Sequence, residues 1–203
     1  MARNETCQIV GKYNFLDFVN MQFTKKNGCC IDPLRGFQEL IDWLFAAGLI
    51  DRKQMQRALK LWGSGAAAKR IYQSAITLRE ALRLMAEKLA AQRLVPRTSI
   101  EAINRAIGKR PGCVLLKRGA GRFEELTRLD LNEPEQLMVP IAQSASDLLC
   151  HGNLALVKRC ANPACGKFFY DTSKNHTRRW CSTTGCGNRM RVAAHYRRTR
   201  AAG

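Results

Sequence analysis

Four cysteines near the C-terminus, Cys160, Cys165, Cys181 and Cys186, stand in a C-x4-C-x15-C-x4-C array. Each close pair can present two thiolates from one tight turn, and two such pairs complete the tetrahedral shell of a single zinc ion. Four sulfur ligands leave no position open for water or substrate, so the expected ion is one structural Zn2+ without a catalytic role. His176 and His195 lie close by in sequence, yet a four-thiolate site needs no fifth ligand. A turn suits His176, and a phosphate or solvent suits His195. The remaining cysteines, Cys7, Cys29, Cys30, Cys113 and Cys150, lack comparable neighbours and read as small apolar or incidental thiols.

The segment that carries the array is strongly basic. From His151 onward there are 11 Lys or Arg and one acid, Asp171, whereas the first 150 residues hold 23 basic and 15 acidic side chains. This gradient within a net charge of +18 describes a basic module joined to a more ordinary globular part, with a polyanion as the partner. The candidate contacts to double-stranded DNA are Lys174, Arg178, Arg179, Asn188, Arg189, Arg191, Arg197 and Arg198. Lys and Arg on phosphates give affinity without sequence choice. Arg189 suits guanine and Asn188 suits adenine in the major groove, although helix capping is the stronger role for Asn188.

Two other chemistries compete. Phe168, Phe169, Tyr170 and Trp180 could stack on unpaired bases of RNA, as in a ribosome-associated zinc protein, with a place in the hairpin core as the competing role. Asn175-His176 could serve a metal-dependent nuclease, but Asp171 is the one carboxylate in the module, too few for a second, oxygen-rich metal site. In the first 150 residues no nucleophile is paired with a base. Gly63-Ser64-Gly65 lacks the lysine and spacing of a phosphate loop and reads as a flexible linker. No enzymatic activity is expected.

The elements that must position the cysteines are a hairpin and a helix. Lys167–Tyr170 and Thr177–Trp180 are two aromatic-bearing arms around a polar turn, expected to pair as a hairpin between the two cysteine pairs. Gly187-Asn188 should then turn the chain into a helix from Arg189 to about Thr199, with Met190, Ala193, Ala194 and Val192 against the hairpin. Knuckle, hairpin and ligands at a helix start describe a treble-clef-like finger. So small a unit cannot bury enough apolar area to fold alone, so the metal must supply the folding free energy; zinc binding contributes on the order of 10 kcal/mol, more than the deficit.

Upstream, Phe15–Asn20 is an apolar run expected as a strand or the start of an apolar element. Asp32-Pro33 should cap a helix whose apolar face is Leu34, Phe37, Leu40, Ile41, Leu44 and Phe45, with Gly48 as its stop. Asp51 should cap the next helix, and this pair could imitate a helix-turn-helix. A long helix follows over about Ala66 to Gln92, with Ile71, Ala75, Leu78, Leu82, Met85 and Leu89 as its stripe. Thr98 or Ser99 should cap another over Ile100, Ile103 and Ile107. Cys113–Leu116 and Phe123–Leu131, around Lys117–Arg122, read as a β-hairpin. A helix over about Glu133 to Cys150 contains Pro140, which kinks it or marks its true start. His151-Gly152-Asn153 is the expected boundary, dividing the chain into 1–152 and 153–203.

No segment reaches the roughly 18–20 apolar residues of a membrane span. Met1–Gly11 has no long apolar core of an export signal, and paired cysteine spacing fits metal in a reducing compartment; the expected location is therefore the cytoplasm, at the nucleoid.

Cys186-Gly187-Asn188-Arg189, with Phe169–Asn175 and Arg178–Ser182 around it, resembles the CGNR zinc fingers. Leu16–Asn20, Asp42-Trp43-Leu44, Ala47-Gly48-Leu49, Leu78–Leu82, Pro140-Ile141-Ala142 and Ser144–Leu149 resemble the ABATE domain that usually precedes such a finger. ABATE is a bacterial family named for a proposed role in stress-induced transcription regulation. The resemblance implies DNA binding by the finger and an N-terminal domain that senses an unidentified small-molecule effector. The fold class expected is α+β, with a mostly helical N-terminal domain, a small β component and the finger. A homodimer would suit such a regulator, but no residue marks its interface.

Overall fold

The computed structural model describes residues 12–24, 30–109, 114–118, 123–127 and 131–201. The run over residues 15–20 is helical, not extended: α1 spans Asn14–Val19. Phe15, Leu16, Asp17, Phe18 and Val19 are all buried, so the helix presents no polar face and no helical period to a reader of the sequence. A two-residue ladder follows, β1 (Phe23–Thr24) antiparallel to β2 (Cys30–Ile31).

Helix α2, Phe37–Ala46, starts at Gly36 and not at Asp32-Pro33. Asp32 is engaged elsewhere: its carboxylate accepts from Leu34 N at 3.0 Å and pairs through both oxygens with the buried Arg79. Gly48, at φ +69°, ends the helix as expected, a left-handed position that glycine takes without strain. Asp51 then opens α3, Arg52–Trp62, with a full capping box: it accepts from Gln54 N, and the Gln54 side chain accepts from Asp51 N, both at 2.8 Å.

The Gly63-Ser64 junction is a tight corner rather than a flexible linker. Gly63 N donates to Leu59 O at 2.9 Å, and a Cβ there would meet that oxygen at 2.3 Å. Helix α4, Gly65–Ala90, is the long helix foreseen, and its whole apolar stripe is buried. Helix α5, Arg97–Ile107, starts after Pro96 with no side-chain cap; the Ser99 hydroxyl instead donates to Ala81 O at 2.8 Å, tying α5 to α4. Strands β3 (Val114–Arg118) and β4 (Phe123–Thr127) form the antiparallel hairpin, with Val114 opposite Thr127; Cys113 and residues 119–122 of its turn lie outside the described residues. A 3-10 turn over Pro134–Met138 precedes α6, Val139–His151, so Pro140 marks the first turn of the helix and does not kink its middle.

Helix α4 is the centre of the molecule, with α1, α2 and α5 packed on it. The chain then enters the finger through a 3-10 turn at Leu154–Leu156. There β5 (Val157–Arg159) and β6 (Phe168–Tyr170) pair antiparallel, and α7 (Asn188–Ala201) closes the chain. Val157, Phe168 and Tyr170 belong to the same buried cluster as the N-terminal helices. The fold is α+β, mostly helical, with a finger of treble-clef type at its end.

Candidate metal centre and nucleic-acid interface

The first cysteine pair sits in the bend of the β5–β6 hairpin. Cys160 N donates to Lys167 O at 2.8 Å, and Cys165 N donates to Asn162 O at 2.9 Å, a tight knuckle that Gly166 completes at φ +67°. The second pair brackets one wide helical turn, Thr183–Gly187: Cys181 precedes its cap Ser182, whose hydroxyl accepts from Gly185 N at 3.1 Å, and Cys186 lies near its end. Helix α7 continues directly from this turn. Asn188 is therefore already helical, with φ −63° and ψ −47°, and the cap is Ser182.

The four Sγ atoms lie within 4.8 Å of one another, with Cys165–Cys181 at 3.6 Å and Cys181–Cys186 at 3.7 Å. Four sulfurs about 2.3 Å from one tetrahedral zinc stand about 3.8 Å apart, so the cluster fits the ion. Packed together, the thiols cannot ionise alike. The bond from the Cys181 thiol holds Cys165 down at about 5, the same bond pushes Cys181 up, and burial pushes Cys160 up. A dication at the centre offsets this mutual repulsion of thiolates. Three donors surround the sulfurs: Cys181 N to Cys160 Sγ at 3.4 Å, Asn162 Nδ2 to Cys186 Sγ at 3.4 Å, and Arg189 Nη2 to Cys186 Sγ at 3.2 Å. Such outer contacts orient the ligands and moderate their charge. One structural zinc ion is the cofactor of this finger.

The expected hairpin between Lys167–Tyr170 and Thr177–Trp180 does not form. β6 pairs with β5, and the second arm has no strand; it is held instead by Asp171. This fully buried carboxylate accepts from Lys158 Nζ at 2.6 Å, Ser173 Oγ at 2.6 Å, Ser173 N at 3.0 Å and Arg178 N at 2.9 Å. Burial works to raise its pKa, yet the Lys158 and Ser173 bonds overcome that and hold it well below the ordinary carboxylate range.

The candidate DNA contacts are not equivalent. Lys174 and Arg179 are exposed on the loop between the cysteine pairs, Arg179 with its guanidinium 5.2 Å from the Trp180 ring. Arg178 turns inward: Nε donates to Trp180 O at 2.8 Å, Nη2 donates to Cys181 O, and the guanidinium lies 5.0 Å from the Phe169 ring. Asn188 is exposed at the start of α7, beside Arg189. Arg191, Arg197 and Arg198 are exposed along α7. Val192 is 47% and Tyr196 65% exposed, so this helix does not lay an apolar face on the hairpin as foreseen; it leaves the finger after its first turn and carries too few apolar residues to return. His176 and His195 are exposed and lie outside the cysteine cluster.

Other residues that build the site escaped the sequence. Asn20, at the end of α1, donates Nδ2 to Phe168 O at 2.7 Å and accepts from Phe168 N at 2.9 Å, closing the outer edge of β6. Tyr13 meets Tyr170 edge to face at 5.0 Å, and the Tyr170 hydroxyl accepts from Asn153 N at 3.2 Å. The one available signal was the polar Asn20 ending an apolar run; nothing pointed to a partner 148 residues away.

Comparison with known proteins agrees with this geometry. The CGNR zinc finger family matches residues 157–199, and the ABATE family, described as "Putative stress-induced transcription regulator", matches residues 15–152. No curated protein matches the chain. The second of these matches covers most of the described helices and the first covers all four zinc ligands, and the chain belongs to the ABATE family with a CGNR zinc finger at its C-terminus.

Proposed function

We propose that this protein is a transcription regulator that grips duplex DNA through its zinc finger, with residues 1–152 as the sensing part and 153–203 as the reader. The observation that carries this reading is α7. It begins beside the last zinc ligand, runs 14 residues without an acidic side chain, and is exposed along nearly its whole length. A helix about 21 Å long fits the major groove, and its arginines can reach phosphates on both sides. In this reading Lys174, Arg179, Arg191, Arg197 and Arg198 meet phosphates. Arg178 holds the second knuckle, and Arg189 divides its donors between Cys186 and a base. Asn188, freed from capping, is available to a base edge. The protein acts in the cytoplasm on the nucleoid; among the described residues no helix is long and apolar enough to cross a membrane.

The RNA reading loses its main support, because Phe168, Phe169 and Tyr170 are buried in the finger and in its contact with α1. A hydrolytic site on Asp171 is equally disfavoured, since its oxygens are taken up by Lys158, Ser173 and Arg178.

The test is binding of the zinc-loaded chain to fragments of its own genome, to random duplex and to single-stranded RNA across a salt series. Five phosphate contacts give a slope of log K on log salt of about −4 to −5, and Arg191→Ala should lower it by about one. Enrichment of particular promoters, lost in Cys181→Ser, supports the reading. Equal binding to every polyanion would overturn it.

A further inference from the structure

We infer that the cleft between α4, α5 and the Pro134–Met138 turn is the binding site for an organic anion with an apolar, aromatic body. This rests on the reading of residues 1–152 as the sensing part, and it supplies the ligand class.

The cleft has a cause in the sequence. The stripes that α4 and α5 turn toward each other carry small residues, Ala66 and Ser74 on one and Ala102 and Ala106 on the other. Helices in contact usually fill that space with large side chains. Here about 610 Å³ remains, within the range of small-molecule sites. Leu78 and Met138, both buried, make its floor. On the α4 wall the Ser74 and Thr77 hydroxyls donate to Arg70 O and Gln73 O, each at 3.0 Å, and so turn no free O–H toward a guest, which leaves the Gln73 amide as the uncharged polar side chain of that wall. An apolar body therefore meets a largely apolar interior.

The rim is cationic. Lys69, Arg70, Arg105 and Lys109 line it against the single carboxylate of Glu135. Arg70 is committed to Glu135 at 2.9 Å, and Lys109 stands 3.8 Å from Glu133, just outside the cleft. Among the described residues Lys69 and Arg105 pair with no carboxylate, and they face the cleft from opposite helices, α4 and α5. Two unneutralised cations over an apolar floor select a ligand with a carboxylate or sulfonate at one end. The same α4 packs against β5 and β6 farther along its length, so the site and the finger share one helix.

Titrating the zinc-loaded full chain with 1-anilinonaphthalene-8-sulfonate, and separately with uncharged N-phenyl-1-naphthylamine, tests this. The expected result is saturable binding of one sulfonate dye. It should weaken roughly tenfold in Arg105→Ala, with little change for the neutral dye, and be lost for both in Ala106→Trp, which fills the cleft. Arg105 is exposed and outside the core, so its variant folds; thermal melts check the tryptophan variant. Sulfonate binding unchanged in Arg105→Ala, or either dye bound equally by Ala106→Trp, would overturn the assignment. Neither titration contains DNA, so failure here leaves the finger's reading standing, and failure of DNA binding leaves the cleft standing.

Discussion

At the scale of single residues, the finger depends on polar groups that are not zinc ligands. Asp171 gathers Lys158, Ser173 and the backbone of Arg178 onto one buried carboxylate and so fixes the path from β6 to Cys181. Asp171→Asn keeps the size but replaces one acceptor with a donor that faces N–H groups. Because Lys158 is partly solvated, the cost should be about 2–3 kcal/mol, read as a lower melting midpoint at neutral pH. The sign of the pH effect follows from the depressed folded pKa: the carboxylate's contribution is complete above its ordinary value of 3.8 and is lost as pH falls below it. The gap between wild type and variant should therefore be constant above pH 3.8 and narrow below it. A gap that widens on acidification would contradict this role. Arg189 makes a second residue-scale case, since its Nη2 lies 3.2 Å from Cys186 Sγ. Removing that donor leaves a more basic, less oriented thiolate, and outer donors of this kind are worth about 10–100-fold in metal affinity. Arg189→Ala should lose zinc to a chromophoric chelator in that range. Arg191→Ala, equally charged but remote from the sulfurs, should weaken DNA binding and leave zinc affinity unchanged.

At the scale of elements, the side-chain hydrogen bonding between α1 and the finger rests on one amide. Asn20 bonds both the N–H and the C=O of Phe168, acting as a one-residue strand on the free edge of β6. Asn20→Ala leaves two buried backbone groups unpaired and should destabilise the chain by about 2–4 kcal/mol. Asn20→Asp should be worse than alanine, because a carboxylate would then face Phe168 O; a milder effect in urea unfolding would remove Asn20 from this role. This joint also marks the limit of what the sequence discloses. The zinc ligands, the Gly48 stop and the Asp51 cap are local chemistry, and each was legible because its cause lies within a few residues. Helix α1 was not, since burial on all sides erases its period. Asp32 and Ser99 looked like caps, but distant groups, Arg79 and Ala81 O, claim their side chains. The arm at Thr177–Trp180 looked like a strand, but β5 already occupies the partner edge of β6. Local rules misplaced these elements wherever a long-range bond outbid them.

At the scale of the whole molecule, the finger is not a bead on a tether. Val157, Phe168 and Tyr170 are buried in the same cluster as Tyr13, Phe15 and the stripe of α4, while the cysteines keep a separate small cluster with Phe169 and Trp180. Gly152 sits against the common cluster, and a Cβ there would stand 2.5 Å from Leu148 Cδ1 and 2.9 Å from the Tyr13 hydroxyl. Zinc therefore supports more than the segment that binds it. Each of the three side chains contributes about 1.5–3 kcal/mol by burial, and all three depend on a hairpin that the metal closes. If half of that is lost when the finger opens, about 3 kcal/mol leaves the common core, and for a chain of this length the midpoint falls roughly 6–12 °C. Chelation should then shift the main helical transition downward as one event, followed by circular dichroism at 222 nm. Cys181→Ser should melt at the chelated temperature whether or not chelator is present. An upper transition that keeps its midpoint after zinc is removed would mean that residues 1–152 hold themselves together, and that the contact through Tyr170 and Phe168 transmits nothing from the metal to α4.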